Sequence, residues 1–341
     1  MPDSLAINIL IFVVSAVVVA FVGTRMSKVA DRLADKTGLG EAIMGAVFLG
    51  GTTSLSGIVT SVTAAAGGHA ELAVSNAVGG IAAQTAFLAV ADLFYKESNL
   101  EHAAASIANL VQGTLLLSLL SIPILAFAGP PLSFWGVHPA TLVLMAAYFA
   151  GLRLVSLSQT ENMWQPRQTN ETAVDKPDDA VQSRSLRKMW LKFLGYAVTI
   201  AIAGYFIAQS GVVIAAKTGL TESVVGTLLT AVSTSLPELV TTVAAVRQGA
   251  LTLAVGGIIG GNCFDLMLIA FSDLAYRDGS IYEAITYRQV FLMALTGLMT
   301  GILLLGLLKR ERHGIGNIGF ESFLILILYV GGVASLFFKS R

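Results

Sequence analysis

Between residues 4 and 338 the sequence returns ten times to apolar runs of about 20 residues, the length an α-helix needs to cross the hydrocarbon of a bilayer. Nothing else in the chain limits the fold as strongly. In lipid every backbone amide and carbonyl must be satisfied within the protein, so runs of this length become helices. They fall near 4–24, 40–66, 70–95, 103–128, 137–156, 190–215, 221–246, 250–275, 286–308 and 318–338. Only 12% of residues are charged, about half the share in a soluble domain. The expectation is an all-α polytopic membrane protein of ten transmembrane helices, with the lipid bilayer as its first partner. Net charge is zero, which gives no reason to expect nucleic acid. A single cysteine, Cys263, allows no internal disulfide and no cysteine metal site, and reads as a buried structural thiol. The first run lacks a basic flank ahead of it and is too long for a signal-peptide core, so it is kept as a span.

Between the fifth and sixth runs lies a polar stretch, residues 158–188, that includes QPRQTNETAVDKPDDAVQSRS and cannot build a core. It divides the chain into 1–157 and 189–341. Placing this linker in the cytoplasm puts 16 of the 21 Lys and Arg residues on that side, among them Arg25, Lys28, Arg32, Lys36, Lys188, Lys192, Arg247 and Lys309. Basic residues accumulate on the cytoplasmic side of membrane proteins, so both termini are expected outside. The short loops point to a bacterial-type inner membrane.

The two halves match without a gap at an offset of 181 residues. KTGLGEAIMG (Lys36 to Gly45) lies on KTGLTESVVG (Lys217 to Gly226), and ADLFYK (Ala91 to Lys96) on SDLAYR (Ser272 to Arg277); over this window more than a third of paired positions are identical. Each half holds five spans, an odd number, so the second copy must cross in the opposite sense. This is an inverted-topology repeat, an arrangement that in transporters places a site near the midplane on interrupted helices. The plainer alternative is an old duplication kept as scaffold.

The chemistry sits in the repeated stretches. TAVSTSLPELVTTV (Thr230 to Val243) carries hydroxyls, Pro237 and Glu238 inside an apolar run. Proline removes one helical hydrogen bond, which is expected to free carbonyls near Ala231 and Ser233. Beside them stand Thr234, Ser235 and Glu238, all hard oxygen ligands suited to Na⁺, Ca²⁺ or a proton. GGNCFDL (Gly260 to Leu266) adds Asp265, with Asn262 three residues earlier on the same helical face. Carboxylates at this depth cost several kcal/mol unless paired, protonated or metal-bound, so Glu238 and Asp265 are read as functional and as the candidate metal ligands. From the first copy come Thr53, Ser54, Gly57 and Gln84, the last in GGIAAQT. Asp92 and Asp273 lie near span ends and read as interfacial anchors. Glu41 and Glu222 read as helix N-terminal acids, and His69 as a solvated loop residue.

TSLPELVTT followed by GGIIGGNCFDL resembles the alpha-repeat signature of the calcium/cation antiporter superfamily, the sodium/calcium exchanger type, and the resemblance covers nearly the whole chain. It implies two repeats, ten spans and a cytoplasmic loop after the fifth, with ion sites at the midplane. It further implies that the second copy supplies Thr234, Ser235, Glu238, Asp265 and the Ala231 carbonyl, and that the first and sixth spans slide over the rest. The first copy departs from the pattern. Proline and glutamate are replaced by Ser56 and Gly57, and the second polar ligand by Gln84, while Gly80 and Gly261 stand where the family has a small serine. One of the two expected glutamates is therefore missing, and fewer charges imply fewer ions per cycle.

The function expected is a secondary antiporter exchanging Ca²⁺ or another cation for Na⁺ or H⁺, with small cations as substrates and no cofactor. The rivals are a monovalent Na⁺/H⁺ exchanger on the same fold and a non-transporting membrane sensor or scaffold. No HExxH pair and no Ser/His arrangement speaks for an enzyme.

Overall fold

The computed structural model describes residues 1–37, 48, 50–93, 99–158, 166, 185–310 and 319–338. We number the principal helices α1 (Leu5–Thr37), α2 (Leu55–Ala66), α3 (Ala70–Asp92), α4 (Ile107–Ala128), α5 (Pro139–Leu157), α6 (Leu186–Thr218), α7 (Glu222–Thr234 and Leu236–Arg247), α8 (Leu251–Asp265 and Met267–Ala275), α9 (Tyr287–Lys309) and α10 (Phe320–Ser335). Among the described residues seven helices are long and apolar enough to cross a membrane, and the bent α7 makes an eighth. α2 and α10 have 12 and 16 residues and fall short of that length. The expected second span lies partly at 38–47 and 49, and most of the expected linker at 159–165 and 167–184, outside the described residues. Ten crossings therefore do not follow from helix length.

α3 and α8 form the centre. The apolar window of α3 is 89% buried and that of α8 72%, against 22% for α1, so α1 is a peripheral helix whose outer face meets lipid. The long helices extend well beyond the apolar runs that reveal them. α1 continues through RMSKVADRLADKT to Thr37, because strong helix formers carry it on after the apolar stretch ends. α1 lies along α6, packing Phe12, Val19 and Met26 against Ile200, Ala203 and Ile207. The pair is antiparallel: Asp3, just before α1, meets Lys217 at the end of α6 at 2.5 Å. That lysine, by hydrogen bond and charge, holds the Asp3 carboxyl below its ordinary value, although both side chains are too exposed for the pair to matter to stability.

Two buried aspartates tie the halves together. Asp92 ends α3 and accepts the amides of Leu100 (2.8 Å) and of Gly319 ahead of α10 (3.2 Å). Asp273, near the end of α8, accepts the amides of Ile281 (2.8 Å) and of His138 ahead of α5 (2.9 Å), together with the Thr141 hydroxyl (2.6 Å). All three pairings, 92 with 273, 100 with 281 and 138 with 319, carry the 181-residue offset seen in the sequence. Neither aspartate is the interfacial anchor expected. Both are fully buried, because each carboxylate satisfies helix-start amides that have no intrahelical partner.

Candidate functional site

Two helices break at matched serines. α7 bends by 49° at Ser235, whose φ and ψ are −95° and 6°. Ahead of α2 the backbone makes the same excursion at Ser54, with −83° and 6°. The second break occurs without a proline, since Ser56 stands where α7 has Pro237. Proline is thus not the whole cause. Ahead of the bend α7 also contains a π-helical turn, Val225–Thr230, a distortion that recurs at functional sites. Outside the breaks lie matched glycines of the long pair. A Cβ on Gly23 of α1 would come within 2.5 Å of Pro237 Cγ, and one on Gly204 of α6 within 2.9 Å of the Ser56 carbonyl oxygen. Only glycine lets α1 and α6 lie this close.

Between the two breaks is a small cavity lined by Ser54, Gly57, Asn76, Gly80, Gln84, Thr234, Ser235, Glu238 and Asp265, with Ala77 and Leu268 completing the wall. Its volume is about 10 Å³, near the lower limit for one water-sized occupant. Glu238 and Asp265 are 7% and 4% exposed. Asp265 is held from the other half: Ser54 Oγ donates to Oδ1 at 2.5 Å and Gln84 Nε2 to Oδ2 at 2.7 Å. Gln84 Nε2 also donates to Ser235 Oγ at 3.2 Å. These four residues are two matched pairs, 54 with 235 and 84 with 265, so each half meets its counterpart at the cavity.

The oxygens left over decide what the cavity can do. Glu238 Oε2, Gln84 Oε1 and Asn76 Oδ1 are buried without a hydrogen-bond partner, and among the described residues no Lys, Arg or His lines the wall. Buried acceptors without donors are costly. A wall of such acceptors around two carboxylates stabilises a bound cation or proton and disfavours an anion. Among the described residues no group of three His, Cys, Asp or Glu side chains is placed to hold a metal. Two carboxylates and neutral oxygens are what the site offers.

The sequence-derived candidates divide. Glu238, Asp265, Thr234, Ser235, Ser54, Gln84 and Gly57 line the cavity. Thr53 does not, and donates instead to the Gly50 carbonyl at 3.1 Å. Asn262 does not either, because its amide turns to Thr85 Oγ1 at 3.1 Å. The Ala231 carbonyl is not free: it accepts the Ser235 amide and the Thr234 hydroxyl, both at 3.1 Å. Asn76 was missed. It shares one face of α3 with Gly80 and Gln84 at steps of four, a spacing that could have revealed it. It donates to Ser61 Oγ at 2.9 Å and reaches the Gly57 carbonyl at 3.4 Å. His69, expected to be solvated, meets Glu222 at 2.6 Å and joins the loop before α3 to the start of α7.

A family model described as sodium/calcium exchanger protein matches residues 7–157 and 188–338. This chain belongs to that family. Among its relatives, the sodium/calcium exchanger MaX1 of Methanosarcina acetivorans is 32% identical over 139 residues, 40% of this chain and 39% of that protein. Inner membrane protein YrbG of Escherichia coli is 28% identical over 145 residues, 41% of this chain and 45% of its own. The matched part thus spans about two fifths of each relative's length. In fold this chain is similar to an H⁺/Ca²⁺ exchanger, CAX, with TM-score 0.70 at 15% identity over 98% of this chain and 82% of that one. It is also similar to the sodium-calcium exchanger NCX_Mj, with TM-score 0.63 at 17% identity over 98% of this chain and all of the other.

Proposed function

We propose that this integral membrane protein is a secondary active cation antiporter, exchanging Ca²⁺ or another cation for Na⁺ or H⁺ by alternating access at the cavity between α2, α3, α7 and α8. The observation that carries the reading is the cavity wall: two buried carboxylates, Glu238 and Asp265, with unpaired oxygens and no cationic side chain among the described lining residues. A scaffold has no use for two such costly groups. Family membership and the names of the relatives point the same way.

On this reading the chain crosses the membrane ten times as two inverted repeats, 1–157 and 189–341, with 158–188 as a cytoplasmic linker and both termini outside. The offset hydrogen bonds of Asp92 and Asp273 support the repeat. Glu238 and Asp265 bind the cation directly, Ser54 and Gln84 orient Asp265, and Asn76, Thr234 and Ser235 supply neutral oxygens. Thr53, Asn262 and Ala231 stand outside the shell in this conformation. α1 and α6 slide as a pair over the two breaks, with Gly23 and Gly204 as the points of closest passage.

One feature favours monovalent exchange as the second reading. The place opposite Glu238 holds Gly57, and Leu268 fills the space beside it, 3.1 Å from where a Cβ would be. The charge lost from the first copy is therefore not replaced. The test is cation flux in proteoliposomes with a Na⁺ or pH gradient, following ⁴⁵Ca²⁺ uptake and internal pH together. Gradient-driven Ca²⁺ uptake supports the first reading. Proton movement with Na⁺ alone supports the second, and no flux of any cation overturns both.

A further inference from the structure

At the end of the α1–α6 pair far from Asp3 and Lys217, a second depression of about 640 Å³ opens to the surface. Arg25, Lys28 and Arg32 of α1 and Lys188 and Lys192 of α6 line it, with Tyr196 at its inner end and no carboxylate among the described lining residues. A surplus of basic residues on one side of a membrane protein follows from its insertion. Insertion alone does not gather five of them around one hollow.

The surroundings say what the hollow faces. Along α1 the exposed Val14, Val17 and Phe21, at 53%, 49% and 63%, lead by helical steps of three or four into Arg25, Lys28 and Arg32. On α6 the exposed Leu191 and Leu194, each at 60%, flank Lys192. Apolar lipid-facing surface thus runs directly into a ring of cations at the membrane boundary. A ligand that matches both parts carries acyl chains and an anionic phosphate headgroup. Basic hollows between spanning helices suit such headgroups.

We infer that this hollow is a binding site for an anionic phospholipid, its phosphate among Arg25, Lys28, Arg32, Lys188 and Lys192 and its chains along the apolar stripe of α1. The inference rests on the proposed orientation only for which leaflet supplies the lipid. Each basic residue near an anionic surface is worth roughly a factor of five in affinity. Removing three should therefore weaken retention on the order of a hundredfold.

The experiment is native mass spectrometry of the detergent-purified full chain, titrated separately with dioleoylphosphatidylglycerol, dioleoylphosphatidylcholine and inorganic phosphate. No transport is measured, so its outcome is separate from that of the exchange reading. The expected result is at least tenfold better retention of phosphatidylglycerol than phosphatidylcholine, lost in Lys28→Gln/Arg32→Gln/Lys192→Gln and kept in Arg153→Gln/Arg277→Gln/Arg288→Gln. If the first triple variant does not fold, Lys28→Glu alone should remove most of the preference. No preference in the unaltered chain, or equal loss in both triple variants, would overturn the site. Inorganic phosphate binding as tightly as the lipid would overturn the lipid as its ligand.

Discussion

Replacing Glu238 by glutamine separates a transport role from a structural one. The side chain is 7% exposed and its Oε2 has no hydrogen-bond donor, so without a cation the carboxylate is a buried charge with little to offset it. Glutamine keeps the shape, removes the charge and brings a donor into a cavity whose wall holds the unpaired oxygens Gln84 Oε1 and Asn76 Oδ1. The cation-free protein should unfold at the same or a higher temperature. The bound state loses one of its two anionic partners. Removing one side of a buried ion pair costs about 3–5 kcal/mol, which is roughly 150- to 5,000-fold in a binding constant. Gradient-driven ⁴⁵Ca²⁺ uptake in proteoliposomes at subsaturating Ca²⁺, or ²²Na⁺ uptake if the site is monovalent, should fall by at least a hundredfold. Uptake within about threefold of the unaltered chain would refute the reasoning, since a charge in contact with the transported ion cannot be that dispensable. A clear drop in unfolding temperature would refute it differently, by showing that Glu238 holds the fold together.

The other predictions follow from neighbouring geometry. Gln84→Glu puts a third carboxylate against Asp265, which Gln84 now touches at 2.7 Å; it should lower cation-free stability by about 1–3 kcal/mol and enlarge the stabilisation by Ca²⁺ relative to Na⁺, read as melting shifts. Gly23→Val and Gly204→Val should each cost about 1–3 kcal/mol through overpacking and depress flux more than folded yield, whereas normal flux in both would deny that α1 and α6 pass the breaks. Asp92→Asn and Asp273→Asn each take away a buried acceptor from one helix-start amide, so unfolding measurements should show similar losses of about 1–3 kcal/mol; one silent variant would break the correspondence.

Much of the helical frame is legible in the sequence, because apolar runs of span length have few alternatives in lipid. The acids are legible too: Glu238 and Asp265 stand out against apolar neighbours, and the structure brings them to one cavity. What sequence reasoning could not settle was where individual polar groups turn. Asn262 and Asp265 share a helix, yet the asparagine finds Thr85, a partner 177 residues away whose position only the packed bundle defines. Pro237 makes the Ala231 carbonyl look free in the sequence. Proline removes only the bond to its own nitrogen, so the Ser235 amide still reaches Ala231. Asn76 was hidden because the matched position in the second copy is Gly257, so no repeat signal marks it. The break at Ser54 carries no proline, so its bend is invisible until backbone angles are seen.

The crossed bonds of Asp92 and Asp273 also bear on assembly. Each aspartate completes its set of amides with one from the opposite half, Gly319 for Asp92 and His138 for Asp273. A polypeptide released after its first five helices would hold Asp92 with one oxygen unmet, and His138 with an amide that has nothing to bind. The defect is repaired only when the other half arrives. Synthesis therefore passes through an interval in which the nascent half is incomplete, and a chain split at the linker should accumulate only when both fragments are made together.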